Sequence, residues 1–181
     1  KRFHEAVEYA KSHGIKEVSL LTHGGKLKLD YFIKLVDAGV DWITVSIDGV
    51  GDTYERIRKP LKFHRVLENL KNIKDYKKHH NLKRPVIKVQ GIWPAIVESG
   101  VDNYYNTFEP ISDLVAFNPL IDYLFKDEDI TYVEEFTCPQ QYQRMVIGAD
   151  GLVMKCSNDE ENKEVIGNLN IETVHEVWHG A

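Results

Sequence analysis

The sequence predicts an α/β fold with parallel strands, and three observations carry that expectation. Apolar residues recur at helical spacing in blocks that alternate with short, nearly continuous β runs. Glycine or proline punctuates the passage from block to block. The chain between successive β runs is long enough for a helical crossover, the connection that parallel pairing requires. Residues 1 to about 125 therefore read as part of a TIM-type (β/α) barrel or of an open α/β sheet.

The elements follow in order. Phe3, Ala6, Val7 and Ala10 form a helical stripe that Gly14 ends, and Glu17 to Leu21 is the first strand. Phe32, Ile33, Leu35 and Val36 form the second stripe, closed by Gly39 before the strand Trp42 to Ile47. Val66, Leu67, Leu70 and Ile73 form the third, bounded by Pro85 before Val86 to Ile92. A weaker pass over Val101 to Phe108 leads to Asp113 to Phe117. Strands starting near residues 17, 42, 86 and 113 make half of the ~8 units of a closed barrel.

After Leu124 the texture changes. Lys126 to Glu135 is charged and turn-prone, and Asp150-Gly151 between two β-type runs is a strong hairpin signal. Thr173 to Trp178 reads as a short final helix. Two domains are expected, residues 1–125 and a small appended module over 126–181.

Composition bounds the function. With 181 residues, 43% hydrophobic and 28% charged, the chain can bury one sizeable core and is not a disordered or collagenous sequence. Its 23 Lys+Arg against 28 Asp+Glu leave a formal charge of −5, which argues against a dedicated nucleic-acid binder. The longest basic run, Lys77-Lys78-His79-His80, reads as a solvated helix end. No stretch approaches the ~18 apolar residues of a membrane span, so no membrane partner is expected and the cytoplasm is the expected compartment. Lys1 opens on a helix whose sheet partner should come earlier, the expectation being a piece of a longer protein.

In parallel α/β folds ligands gather at the carboxyl ends of strands. Those ends are polar and small here: Thr22-His23-Gly24-Gly25, Ser46-Ile47-Asp48-Gly49, Gln90-Gly91 and Asn118-Pro119. Glycine lets backbone N–H groups approach a ligand, and the side chains offer contacts for a polar cofactor such as a nucleoside; equally, each is a residue that turns and caps favour. Asp48 suits a ribose or a cation, or a cap on the following segment. Arg58 suits a ligand carboxylate, or a surface pair with Asp52 or Glu55. His23 has no second ligand nearby and suits local hydrogen bonds. No HExxH, phosphate-binding Gly-Lys-Ser/Thr or Gly-x-Ser-x-Gly pattern occurs.

Cys138 and Cys156 bracket the hairpin, with twelve residues from Cys138 to Gly151 and four from Gly151 to Cys156. A hairpin that returns one cysteine beside the other suits a soft metal or an iron–sulfur cluster; free thiols and a disulfide are the other readings.

Taken together, Trp42 to Gly49, Asp52 to Arg58 and Phe63 to Leu70 resemble the V-S-I-D-G, I-R, F, V and N run of radical S-adenosylmethionine (SAM) enzymes. Cys138-Pro139, Arg144 to Ile147, Asp150 to Val153, Cys156, Ile166 to Leu169 and Val177-Trp178 resemble the opening of the SPASM extension, which carries auxiliary [4Fe–4S] clusters. The resemblance implies a partial barrel followed by a hairpin-plus-helix SPASM-like module. It implies reductive cleavage of SAM to a 5′-deoxyadenosyl radical that takes hydrogen from a peptide, sugar or small-molecule substrate, with an external electron donor.

By position it implies Thr22, His23 and Gly24 on the cofactor side of the rim, where the family has Thr-Asn-Gly. Ser46 and Arg58 match positions touching the methionyl group, Gln90 one near the ribose, and Asn118 the adenine edge, with Asp48 beside them. Cys138 and Cys156 match auxiliary-cluster ligands, and Asp122 and Tyr123 would face the substrate. The Cys-x-x-x-Cys-x-x-Cys loop and the Gly-Gly-Glu segment are absent from these 181 residues, so the chain by itself is expected to be inactive. Two other readings compete: an oxygen-tolerant barrel aldolase or hydrolase using Asp48 and His23 as acid and base, and a degenerate, non-catalytic binding module.

Overall fold

A computed structural model describes residues 2–120, 134–159 and 161–180. The chain divides into two units, residues 1–121 and 122–181.

In the first unit α1 (Phe3–Ser12) leads to β1 (Ser19–Thr22), α2 (Leu29–Asp37) to β2 (Trp42–Ser46), and α3 (Asp52–Ile57) with α4 (Phe63–His79) to β3 (Val86–Ile92). α5 (Trp93–Ser99) and α6 (Val101–Phe108) lead to β4 (Leu114–Asn118). All neighbouring strands are parallel and lie in the order β1-β2-β3-β4. The fold is the α/β arrangement expected, consistent with a partial TIM-type barrel: an order without reversal is the arc of a barrel, whereas a doubly wound sheet turns back at its switch point.

One face of this sheet is packed. Ile43, Val45 and Ile47 of β2 and its extension, with Ile87 and Val89 of β3, join Val7, Phe32, Leu35, Val66, Leu70, Ile73, Tyr104 and Phe108 from the helices in one buried core. The opposite face carries Trp42, Thr44 and Ser46 and, beside them, Val86, Lys88 and Gln90, all half-exposed. Strand alternation alone separates the two sets.

Two carboxylates fasten the amino ends of the strands. Asp41 accepts from Lys11 at 2.8 Å, from the Val18 N–H at 2.9 Å and from Arg84. Asp113 accepts from the Ile87 N–H at 2.8 Å, from Lys74 at 3.3 Å and from Lys77. Lys77 thereby departs from the solvated helix end expected of the basic run: it is buried, and its ammonium also donates to the Pro85 carbonyl at 2.6 Å. Lys78, His79 and His80 are exposed as expected. The helix periodicity explains the split, since Lys77 continues the buried stripe of Val66, Leu70 and Ile73.

α5 is absent from the sequence expectation. Its Trp93-Pro94 start fits a first-turn proline, and Gly100, at φ 81°, separates it from α6.

In the second unit β5 (Val146–Ile147), β6 (Leu152–Met154) and β7 (Val165–Asn168) form an antiparallel sheet, followed by α7 (Val174–His179). The Asp150-Gly151 turn is present: Gly151 has φ 85° and its N–H donates to the Gly148 carbonyl at 3.0 Å. β7 extends the expected hairpin to three strands. α7 packs on it closely, because a Cβ at Gly167 would come within 2.6 Å of Val177, and a Thr173–Glu176 capping box starts the helix.

Candidate functional site

The rim at the carboxyl ends of β1 to β4 is built from turns that the helices hold in place. At the end of β1, Thr22 Oγ1 accepts from the Gly24 N–H at 3.2 Å and His23 Nδ1 from the Gly25 N–H at 3.1 Å. Gly24 has φ 79°, and a Cβ there would approach Val45 to 2.8 Å and Val66 to 3.1 Å. The Asn69 amide donates to the Gly24 carbonyl at 3.4 Å. Val66 and Asn69 of α4 thus clamp the Thr-His-Gly turn, which is why those residue types sit in that helix.

Register sorts the other residues. Ser46 pairs with Gln90 and Gln90 with Ala116, so Ser46 and Gln90 lie side by side on the open face; Asn118 pairs with Ile92 on the same face. Thr22 pairs with Val45 and so belongs to the helix-packed side. Lys88, paired with Thr44 and Leu114, also lies on the open face, one pleat repeat below Gln90. Sequence reasoning missed it, although the alternation of Ile87, Lys88, Val89 and Gln90 carries the signal.

Asp48 is buried, and both its oxygens are used. Oδ2 accepts from Arg58 Nε at 2.6 Å and Nη2 at 2.5 Å, while Oδ1 accepts from the Ile92 N–H at 3.1 Å. The pair joins the end of β2 to the end of α3 and to the last residue of β3. Arg58 therefore makes neither of the surface pairs expected with Asp52 or Glu55; the fold delivers it to Asp48 because α3 turns back over the strand end.

Behind this pair the Tyr104 hydroxyl donates to the Ile47 carbonyl at 2.9 Å, and burial pushes its ionisation well above the ordinary phenol range. Gly91 makes room for the contact, since a Cβ there would lie 2.6 Å from the Ile47 carbonyl oxygen and 2.8 Å from the Tyr104 hydroxyl. The Tyr54 hydroxyl is buried with no hydrogen-bond partner among the described residues, and its ionisation is also raised by burial. Asp122 and Tyr123 lie outside the described residues.

The second unit has a site of its own. Cys138 and Cys156 are half-buried free thiols that line one cavity of about 240 Å³, shared with Gln140, Arg144, Val146, Lys155, Ser157 and Asn158. The hairpin brings them together: Cys156 follows β6, and the short 3₁₀ turn Pro139–Tyr142 carries the chain from Cys138 toward β5. Among the described residues no group of three or more His, Cys, Asp or Glu is gathered for a metal. Two thiols lining one cavity fit half of the four-thiolate set of an iron–sulfur cluster, and they are the only cysteines in the sequence. Arg144 and Lys155 in the same cavity were also missed from sequence, because only the hairpin register shows them.

Among the described residues no helix is long and apolar enough to cross a membrane. Homocitrate synthase of Sulfurisphaera tokodaii is 29% identical to this chain over 121 residues, 64% of this chain and 25% of that protein. The chain thus spans about a quarter of the length of that curated relative. Residues 1–88 match the model of the radical SAM superfamily, and residues 138–181 match SPASM, an iron–sulfur cluster-binding domain. The two matches cover β1, β2 and the first residues of β3, and the thiol cavity with its hairpin, and the chain belongs to the radical SAM superfamily with a SPASM extension.

Proposed function

We propose that these residues serve a radical SAM enzyme that cleaves SAM reductively and uses the 5′-deoxyadenosyl radical to take hydrogen from a peptide, sugar or small-molecule substrate. The observation that carries this reading is the conjunction of a polar rim on an open-faced parallel sheet with a separate cavity lined by two thiols. Bound iron–sulfur clusters supply the electron chemistry; the protein's own work is binding and orientation.

In this reading residues 1–125 supply the cofactor wall and residues 126–181 begin the cluster-binding module. Ser46 and Gln90 are neighbours on the open face and offer a hydroxyl and an amide to the sugar and methionyl groups. The Thr22-His23-Gly24 turn and Asn118 border the same rim, and Asp122 and Tyr123 face substrate. Arg58 is committed to Asp48, so the pair acts as a brace for the rim. Cys138 and Cys156 ligate an auxiliary cluster. Two thiols are half of a cluster's four, and the Cys-x-x-x-Cys-x-x-Cys loop is absent from these 181 residues, so these residues alone do not cleave SAM; an external low-potential donor supplies electrons.

The test is anaerobic reconstitution of the full-length protein with iron and sulfide, followed by calorimetric titration with SAM. Iron–sulfur absorption and saturable SAM binding are the expected results; an iron-free protein that gives no heat with SAM overturns the reading.

The likeness to homocitrate synthase leaves room for a second reading, an oxygen-tolerant barrel aldolase or hydrolase. It gives Asp48 and His23 the acid and base roles. The full engagement of both Asp48 oxygens weighs against it. Activity in air that survives Cys138→Ala and disappears with Asp48→Asn would favour it.

A further inference from the structure

The cavity that holds both thiols also holds two cations, and the hairpin explains why. Val146 pairs with Met154 and Ile147 with Val153. Arg144 lies two residues before Val146 and Cys156 two after Met154, with Lys155 next to that cysteine, and all three line the thiol cavity. Arg144 and Lys155 also line a neighbouring hollow of about 170 Å³ whose other walls include Met145, Ile166, Val177 and Trp178. The two cations therefore stand between the thiols and a largely apolar recess. Lys155 donates to Glu164 at 2.8 Å, so part of its charge is already answered. Among the described residues Arg144 has no carboxylate partner.

We propose that Arg144, assisted by Lys155, sets the reduction potential of the auxiliary cluster held through Cys138 and Cys156. The inference rests on the functional reading above and goes beyond it. A [4Fe–4S] unit with four thiolates is a dianion when oxidised. One electron from a low-potential donor makes it a trianion, with no bond broken and no proton moved. A fixed positive charge attracts the trianion more strongly than the dianion, so it raises the potential. Charge and hydrogen bonding near the cluster sulfurs are the protein's main means of doing this. Arginine is suited to the task because its guanidinium stays charged at every physiological pH and donates in several directions. Arg144 is itself exposed, so water screens part of its charge and the shift it produces is a modest one. Lys155, shared with Glu164, contributes less.

The experiment is a redox titration of the full-length protein, reconstituted anaerobically with iron and sulfide, followed by electron paramagnetic resonance during stepwise reduction with dithionite. Wild type is compared with Arg144→Gln, Arg144→Lys and Lys155→Gln, and iron per chain is measured for each. Arg144→Gln is expected to shift one cluster midpoint to lower potential and leave the others in place. Arg144→Lys should stay near wild type, and Lys155→Gln should shift the same midpoint in the same direction by less.

Unchanged midpoints in Arg144→Gln at wild-type iron content overturn the inference, as does an equal shift of every cluster. If Arg144→Gln fails to load iron, Lys155→Gln decides: a lowered midpoint upholds the inference and an unmoved one overturns it. A wild-type protein that takes up no iron counts against the functional reading itself, whereas loaded wild type with unmoved variants counts against this inference alone.

Discussion

Arg58 grips Asp48 through two nitrogens, Nε at 2.6 Å and Nη2 at 2.5 Å, and the carboxylate it holds is buried at the end of β2. The remaining oxygen takes the Ile92 N–H at 3.1 Å, so one side chain ties together a strand, the helix after it and the neighbouring strand. The arrangement braces the rim and commits two of the three guanidinium nitrogens of Arg58 to Asp48.

Asp48→Asn removes the charge while keeping the shape. The part-exposed Arg58 guanidinium loses its counter-ion, and a loss of about 1–3 kcal/mol is expected. Urea unfolding of wild type and variant measures it; a difference within error would show that the pair contributes little.

Gly91→Ala should be more damaging than most surface changes. Its Cβ would lie 2.6 Å from the Ile47 carbonyl oxygen, a backbone atom that cannot swing aside. Moving β2 away from β3 or displacing Tyr104 costs about 1–3 kcal/mol. A fall in the thermal midpoint is the expected result, and an unchanged midpoint would contradict the packing described here.

Acid should weaken the fold in part through Asp41. The Lys11 ammonium, aided by the Val18 N–H and Arg84 and opposed by burial, holds its carboxyl down at about 2, below the ordinary 3.8. A depressed folded-state pKa stabilises the fold above the unfolded value and is lost as pH falls from there toward 2. Asp41→Asn should therefore be about 1–2 kcal/mol less stable at neutral pH, and the gap should narrow below pH ~4. Denaturant titrations at several pH values check the sign; a gap that widens on acidification would contradict it.

Cys138→Ala and Cys156→Ala should each lower the iron content of the reconstituted full-length protein by the same share, and the double variant should lose no more than either alone, because both thiols line one cavity. Iron and sulfide assays read this directly. Additive losses would assign the two cysteines to different clusters.

The α/β class, the four parallel strands and the Asp-Gly hairpin were legible in the residues themselves, because each rests on local period or turn chemistry. α5 escaped notice since Trp93 to Ser99 directly follows a strand of similar apolarity, and β7 because only its pairing with β6 makes Val165 to Asn168 a strand. Similarity of motif suggested Ser46, Gln90, Cys138 and Cys156 as site residues, and strand register and the hairpin then showed which of them are neighbours.

The sequence by itself determined most of the helix and strand segments, which strand ends are polar, and that two thiols flank one turn; these follow from spacing along the chain. Only the tertiary structure decided that Arg58 belongs to Asp48, that Lys77 is buried on Asp113, and that Arg144 and Lys155 share a cavity with the thiols. The reason is physical: a charged side chain goes to the counter-charge or carbonyl that folding brings within reach, and for Lys77 that partner, Asp113, is 36 residues away.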